Sequence, residues 1–400
     1  NLTNGLTIAT DYQPNFATIT SKILIKTGSR YENHQQNGAC HFIEHMLFKG
    51  TKKRNFQQIA EAFEALGGNF NAYTGRDRTV FYAKTLKEDV AKALEILSDI
   101  LLNSQFDETE LEREKAVIIQ ELANSLDTPD DIIFDHFFKR AFPEQRLGQN
   151  ILGTYQTLDN FTKAELLAYY QKHYNAKNMI IAFAGPIEHQ AAVKLCETYF
   201  ADLTAGENIA LPQANYQGGQ QITSKALEQS QIIMGFEGFN YTSEAFLPIQ
   251  VFSNYLGEGM SSHLYQEMRE LRGLCFHISS FCSFYHDLGI FGIYTATSPQ
   301  QASQMVKDLR QEIDLALDKL DTKTLDKTIK NIKISLLMSN ESTMAKARKL
   351  TYNLYNFGRY LPNDEIIEKL QAITLEDVKK AANQVFKSNE TLTILGQGLD

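Results

Sequence analysis

The sequence predicts an α+β protein written as two homologous halves, each a mainly antiparallel sheet packed with helices. Three observations predict it. A chain of 400 residues exceeds what one hydrophobic core ordinarily organises. The segment Phe161 to Pro186 lines up without gaps on Ile373 to Gly398, so that Thr162 meets Thr374, Glu165 meets Asp377, Leu166 meets Val378 and Tyr174 meets Phe386. Short β-rich runs alternate with long helical stretches, which argues for α+β domains and against a doubly wound sheet.

In chain order, Ala17 to Lys26 is rich in β-branched residues and reads as a strand. His41 to Phe48 reads as a helix with apolar residues on most sides. Phe56 to Leu66 carries apolar residues at helical spacing. Thr79 to Thr85 is a second short β-rich run, and Val90 to Leu102 and Glu108 to Leu126 follow as helices, with Thr109-Glu110-Leu111-Glu112 near the start of the second. Each repeated segment begins with Thr-x-x-Asp/Glu, a capping-box signal, continues as an amphipathic helix and ends in an apolar strand, Met179 to Ala184 in the first copy. Between the copies, Leu203 to Gln220 is rich in Gly, Pro, Gln and Asn and reads as a linker. The expected division is therefore 1–203, a linker at 204–219, and 220–400.

Composition narrows the function classes. The chain is 43% hydrophobic and 22% charged, an ordinary globular balance. Its net charge of −9 gives nucleic-acid binding no electrostatic support. No apolar stretch approaches the roughly 20 residues that span a bilayer, so no membrane span is expected. Asn1-Leu2-Thr3-Asn4 shows no targeting peptide, although the missing initiator Met leaves room for a removed leader. The four cysteines, Cys40, Cys196, Cys275 and Cys282, form no CxxC pair and no dense framework. That usage suits a reducing compartment: the bacterial cytoplasm, or the mitochondrial matrix in a eukaryote.

The chemistry is concentrated in His41-Phe42-Ile43-Glu44-His45. Histidines four apart share one face of a helix, one turn above the other, and can reach a common ion. Glu44 lies beside the same face, where its carboxylate can take a proton from water. H-x-x-E-H is the inverted form of the H-E-x-x-H zinc helix. The apolar neighbours Phe42, Ile43, Met46, Leu47 and Phe48 bury this helix, and buried polar groups need partners, which a cation offers. A catalytic zinc also needs a third protein ligand. Glu114 and Glu121 are two helical turns apart and share a face of a helix whose apolar run Ala116 to Ile119 places it in the core. Spacing alone does not choose between them.

GACHFIEHMLFKGT, followed 76 residues after His45 by Glu121, resembles the pitrilysin/insulinase superfamily of metallopeptidases, and within it the β-subunit type of mitochondrial processing peptidase and its bacterial homologues. The likeness runs through nearly the whole chain. It implies a clam-shell chamber of two α+β halves and one Zn2+ per chain, held by His41, His45 and Glu121, with Glu114 supporting them and Glu44 as general base. NAYTGRDRTVFYAK resembles the family's substrate-facing edge strand, which implies that Asn71, Ala72 and Tyr73 bind peptide backbone. Phe48 corresponds to a residue lining the pocket after the scissile bond. Asp131 and Asp135 correspond to acidic residues that meet arginine in presequences. The stretch from Gly257 to Leu274 resembles the second-half signature in which an Arg and a Tyr, seven apart, close over the substrate. Arg269 fits the first position, and Phe276 occupies the second without a phenol. A lost donor of this kind costs on the order of 3 kcal/mol in the transition state unless a group such as His277 or Tyr285 replaces it.

The resemblance implies peptide substrates and pairing, either as a homodimer or with a homologous partner subunit. A non-catalytic assembly or partner subunit of the same fold is the competing reading. Such chains usually lack part of the metal set, and here all four residues are present.

Overall fold

The computed structural model describes residues 1–397; Gly398, the last residue of the second repeat, lies outside them. Two compact units emerge. One comprises Asn1–Asn124, Gln149–Pro212 and Ser339–Tyr360, the other Ser125–Gly148, Gln213–Met338 and Leu361 onward.

The first unit is built on a five-stranded sheet. Its strands are β1 (Thr7–Tyr12), β2 (Thr18–Ile25), β3 (Asn69–Thr74), β4 (Thr79–Leu86) and β5 (Met179–Gly185), in the order β1-β5-β2-β4-β3. Only the β1–β5 pair is parallel; the other neighbours are antiparallel. The continuous apolar run of β5 is buried throughout, as a strand covered on both faces requires. Successive side chains alternate between faces. Ala72, Phe81, Ile23 and Ile181 form one row across the sheet. On this side pack helices α1 (Ala39–Leu47) and α3 (Val90–Asn103), the latter preceded by α2 (Phe56–Glu64). On the opposite face Leu24, Val80 and Ile180 pack against Tyr355 of the helix Thr343–Phe357. The Thr20 hydroxyl bonds that of Thr343 at 2.9 Å.

The second unit repeats the plan with β6 (Gly219–Ser224), β7 (Ser230–Gly238), β8 (Cys275–Phe284), β9 (Gly289–Thr297) and β10 (Thr391–Gly396), in the order β6-β10-β7-β9-β8. Its one parallel pair, β6–β10, is the counterpart of β1–β5. Ile232, Met234, Phe291 and Ile394 belong to the larger core, while Ile233, Ile290 and Leu395 meet Ile133 and Phe137 of helix α5 (Pro129–Ala141), which follows α4 (Glu108–Asp127). The repeat predicted from the sequence is present in detail. Thr162 and Thr374 each close a capping box, with Glu165 and Asp377, and each helix leads to the strand paired parallel to the first strand of its sheet.

Two expectations need correction. The units are not 1–203 and 220–400, because α5 belongs with the second sheet and the helix Thr343–Phe357 with the first. Each of these helices has an apolar face that local sequence cannot assign to one sheet over the other. The linker also ends sooner than Gln220, since β6 begins at Gly219 and pairs there with Thr391. Among the described residues no helix is long and apolar enough to cross a membrane.

Candidate metal centre

Helix α1 begins at a glycine that no other residue replaces easily. Gly38 has φ 97° as N-cap, and a Cβ there would lie 2.8 Å from the Leu152 carbonyl oxygen. Both the left-handed backbone and the close approach demand glycine. The open N–H groups of the first turn meet a buried carboxylate that sequence reading did not single out. Glu32 Oε2 accepts from the Gly38 amide at 2.8 Å and from Asn37 Nδ2 at 3.2 Å, and Oε1 accepts from the Cys40 amide at 2.7 Å. Glu32 is fully buried, and burial pushes its carboxyl up to about 8 against the pull of these donors. At the helix N-terminus its two carboxyl oxygens satisfy amides that have no partner within the helix. No local pattern marks it, because Glu32 sits in the loop before the helix.

On α1, Phe42, Ile43, Met46 and Leu47 are buried as expected, while Phe48 is half-buried with its ring 6.1 Å from that of Phe81. The imidazoles of His41 and His45 are 4.7 Å apart between centroids. Glu121 Oε1 lies 3.7 Å from His41 Nε2, and its Oε2 lies 3.6 Å from His45 Nε2. The three residues thus offer ligand atoms within 4.8 Å of one another. In tetrahedral zinc with bonds of about 2.0–2.1 Å, ligand atoms sit roughly 3.3 Å apart, so the donor set needs only a small contraction. Two imidazoles and a carboxylate are also a donor set that catalytic zinc uses. Burial pushes the His41 imidazole down to about 3, with His45 adding to the effect. It is therefore neutral at physiological pH, as a metal ligand must be.

The two glutamates of α4 separate clearly. Glu114 is buried; its Oε2 is 3.0 Å from His45 Nδ1 and its Oε1 is 2.8 Å from Lys49 Nζ. Burial pushes its carboxyl up, but the bonds from His45 and Lys49 outweigh this and hold it below the usual range. A carboxylate on Nδ1 sets the tautomer that leaves Nε2 free to ligate. Glu121, with its side chain 45% exposed, keeps one side of the cluster open. The expected core placement of α4 holds for one stripe only. Leu111, Glu114, Ile118 and Leu122 are buried, whereas Val117 is half exposed.

Glu44 projects beside the cluster and accepts a hydrogen bond from Thr74 Oγ1 at the end of β3. Burial raises its carboxyl to about 6, against the Thr74 bond and His45; Glu121 adds to the rise. Strand β3 is the sheet edge beside α1. The Gly75 amide donates to the Arg78 carbonyl, so by antiparallel alternation the backbone groups of Thr74, Ala72 and Phe70 face the free edge. The Ala72 amide is held by Asn71 Oδ1 at 2.8 Å. Tyr73 points to the other face, with its hydroxyl 3.0 Å from that of Tyr352.

The remaining expected residues lie in the second unit. Asp131 and Asp135 are one turn apart near the start of α5. The Arg269 guanidinium lies 4.6 Å from the Tyr265 ring and 4.7 Å from that of Phe276. Phe276 is 74% exposed. His277 bonds Ser279, and Tyr285 is buried; a phenol does stack on Arg269, that of Tyr265, which the sequence pattern does not single out. His263, Glu267 and Glu312 form a second cluster of potential ligands. Its carboxylates are already neutralised, Glu312 by Arg272 and Glu267 by Lys319 at 2.7 Å, so it reads as an ion network.

Residues 7–155 match the insulinase (peptidase family M16) domain, and residues 160–332 match the peptidase M16 inactive domain. A protein named as an uncharacterized zinc protease of Rickettsia felis is 40% identical over 396 residues, covering 99% of this chain and 96% of its own. The chain belongs to peptidase family M16. Another M16 relative, the mitochondrial-processing peptidase subunit beta of Blastocladiella emersonii, is 33% identical over 99% of this chain and 87% of its own. The crystal structure of a protease from Helicobacter pylori shares the M16 fold with a TM-score of 0.91 at 22% identity, covering 99% and 98% of the two chains. The predicted α+β class and two-half layout are those of the family, whose second domain is described as inactive.

Proposed function

We propose that the chain is a zinc-dependent endopeptidase acting on extended peptides, with His41, His45 and Glu121 holding one zinc ion and Glu44 serving as general base. The observation that supports it most is the convergence of the three ligand groups, Glu44 and the open edge of β3 on one side of one sheet. Zinc bound there supplies a Lewis acid and lowers the pKa of water to near 7. Glu44, oriented by Thr74, takes the proton from the attacking water and passes it to the leaving amine. The edge-facing backbone groups of Phe70, Ala72 and Thr74 add the substrate as a further strand, the Ala72 amide exchanging its bond from Asn71 to the peptide, so affinity depends mainly on main-chain hydrogen bonds. Phe48 offers an apolar contact to the residue after the scissile bond. The test is zinc analysis together with cleavage of an internally quenched, Arg-containing peptide before and after chelation. Bound zinc and activity lost on chelation and restored by zinc support the reading; full activity without metal sinks it.

Glu114 orients His45 in this scheme. Glu114→Gln should weaken zinc binding by about 10- to 100-fold, read by competition with a chromogenic chelator. Unchanged affinity would show that His45 needs no such support.

Asp131 and Asp135 form the basis of a preference for basic residues near the cleavage point, since Arg–carboxylate contacts are charge-assisted. The double variant Asp131→Asn, Asp135→Asn should lower the ratio of kcat/KM for Arg over Gln peptides by about 10- to 150-fold, from the roughly 1.5–3 kcal/mol of a charged hydrogen bond. An unchanged ratio rejects the assignment. We also infer that the chain pairs with a second copy or a homologous subunit. Sedimentation showing only monomer, with full activity, would remove that part.

A further inference from the structure

On the face of the first sheet away from α1, a lysine is buried without a counter-ion. Lys22 of β2 is 2% exposed. Its Nζ lies 5.5, 5.9 and 5.6 Å from the ring centroids of Tyr73, Tyr82 and Tyr352, with the Tyr73 hydroxyl at 3.5 Å. Among the described residues no carboxylate lies within ion-pair distance of Lys22 or of Arg348. Arg78 stacks over Tyr352 at 4.1 Å and pairs with Asp77 at 3.2 Å. Arg348 stands one turn before Tyr352 on the helix Thr343–Phe357, so three cations gather on this face, in a chain whose net charge is −9. Burial first, and then Arg348 and Arg78, push the Lys22 ammonium down to about 8. Such a concentration of like charge is costly unless a negative group joins it.

The cage lies directly behind the proposed substrate edge. Lys22, Tyr82 and Asn71 form one row across β2, β4 and β3, and Tyr73 stands on the same face. A peptide added to β3 would send alternate side chains to opposite faces. One set faces Phe48 and Glu44, and the other faces Tyr73 and the cations behind it.

We propose that the cage of Lys22, Arg78 and Arg348 is a carboxylate-binding subsite, taking an acidic group of the extended peptide on the side away from the metal. Tyr73 and Tyr352 form its wall, and rotation of Tyr73, which is 37% exposed, opens it to Lys22. The subsite rests on the reading of β3 as the substrate edge. It selects at positions that alternate with those facing Phe48, and so coexists with a basic preference elsewhere in the peptide.

The test measures binding, so that it does not depend on turnover. Fluorescently labelled extended peptides, with Glu or Gln scanned through each position and a C-terminal acid or amide, are titrated onto the Glu44→Gln protein by anisotropy. We expect Glu to bind about tenfold tighter than Gln at one position. That ratio should collapse toward one on adding Lys22→Met or, separately, Arg348→Gln, an exposed site whose change leaves the core untouched. A preference for the terminal acid over the amide, lost in the same variants, would assign the subsite to a chain end. Equal binding of every Glu and Gln pair and of acid and amide, or a ratio indifferent to both substitutions, overturns the proposal. Cleavage of a neutral peptide by the unaltered protein reports separately on the peptidase reading.

Discussion

Glu44→Gln should abolish peptide hydrolysis while leaving the metal in place. The glutamine keeps the shape of Glu44 and can still accept from Thr74, but it cannot take a proton at neutral pH. Positioned general bases contribute about 10²- to 10⁴-fold, and here one group handles both proton transfers, so a fall in kcat toward the upper end is expected. Zinc content should not change, because the proposed ligands are His41, His45 and Glu121, whose donor atoms gather, and Glu44 is proposed as base, not ligand. Metal analysis beside initial rates on a quenched peptide checks both halves. Activity within threefold of the unaltered protein would refute the assignment, and loss of zinc would move Glu44 into the ligand set.

Glu32→Ala should produce the largest loss of stability. The carboxylate is buried, and its removal strands the amides of Gly38 and Cys40, since only Asn37 retains another acceptor, the Asn150 carbonyl at 2.7 Å. Each stranded donor costs about 1–3 kcal/mol, and the vacated volume adds to this, for a total of roughly 3–5 kcal/mol. For a unit of this size each kcal/mol shifts Tm by about 2–4 °C, so a fall on the order of 10 °C is expected by calorimetry. Zinc affinity should fall with it, because the capped turn carries His41. Glu32→Gln separates capping from packing. It fills the same space but turns one acceptor into a donor facing a donor, so it should recover only part of the loss. A Tm within 2 °C for the alanine variant would show that the cap does not hold the helix.

Much of this site is legible as pattern because its chemistry is local. His41, Glu44 and His45 occupy little more than one turn, and helical periodicity alone puts them together. Glu114 and Glu121 share a face for the same reason, and spacing could narrow the choice to these two but go no further. The structure separates them through burial: Glu114 reaches His45 Nδ1 from inside, while Glu121 sits at the open side between the two Nε2 atoms. Thr74, Lys49, Glu32 and the Lys22 cage have no comparable signature. Each acts across a loop or a strand pairing, and their partners are separated by as many as 330 residues of chain, as Lys22 and Tyr352 are.

The fold divides along the same line. Capping boxes at Thr162 and Thr374, the buried run of β5 and the repeat itself are statements about neighbours a few residues apart. The sequence by itself therefore determined two like halves, the H-x-x-E-H helix and the class of chemistry it serves. Which sheet receives α5 and which receives the helix Thr343–Phe357 depends on which apolar faces meet, and an apolar face carries no address. Only the tertiary structure decided those placements. It also decided the carboxylate that caps the metal helix and the uncompensated lysine behind the edge strand, because burial and long-range pairing set the cost of a charge.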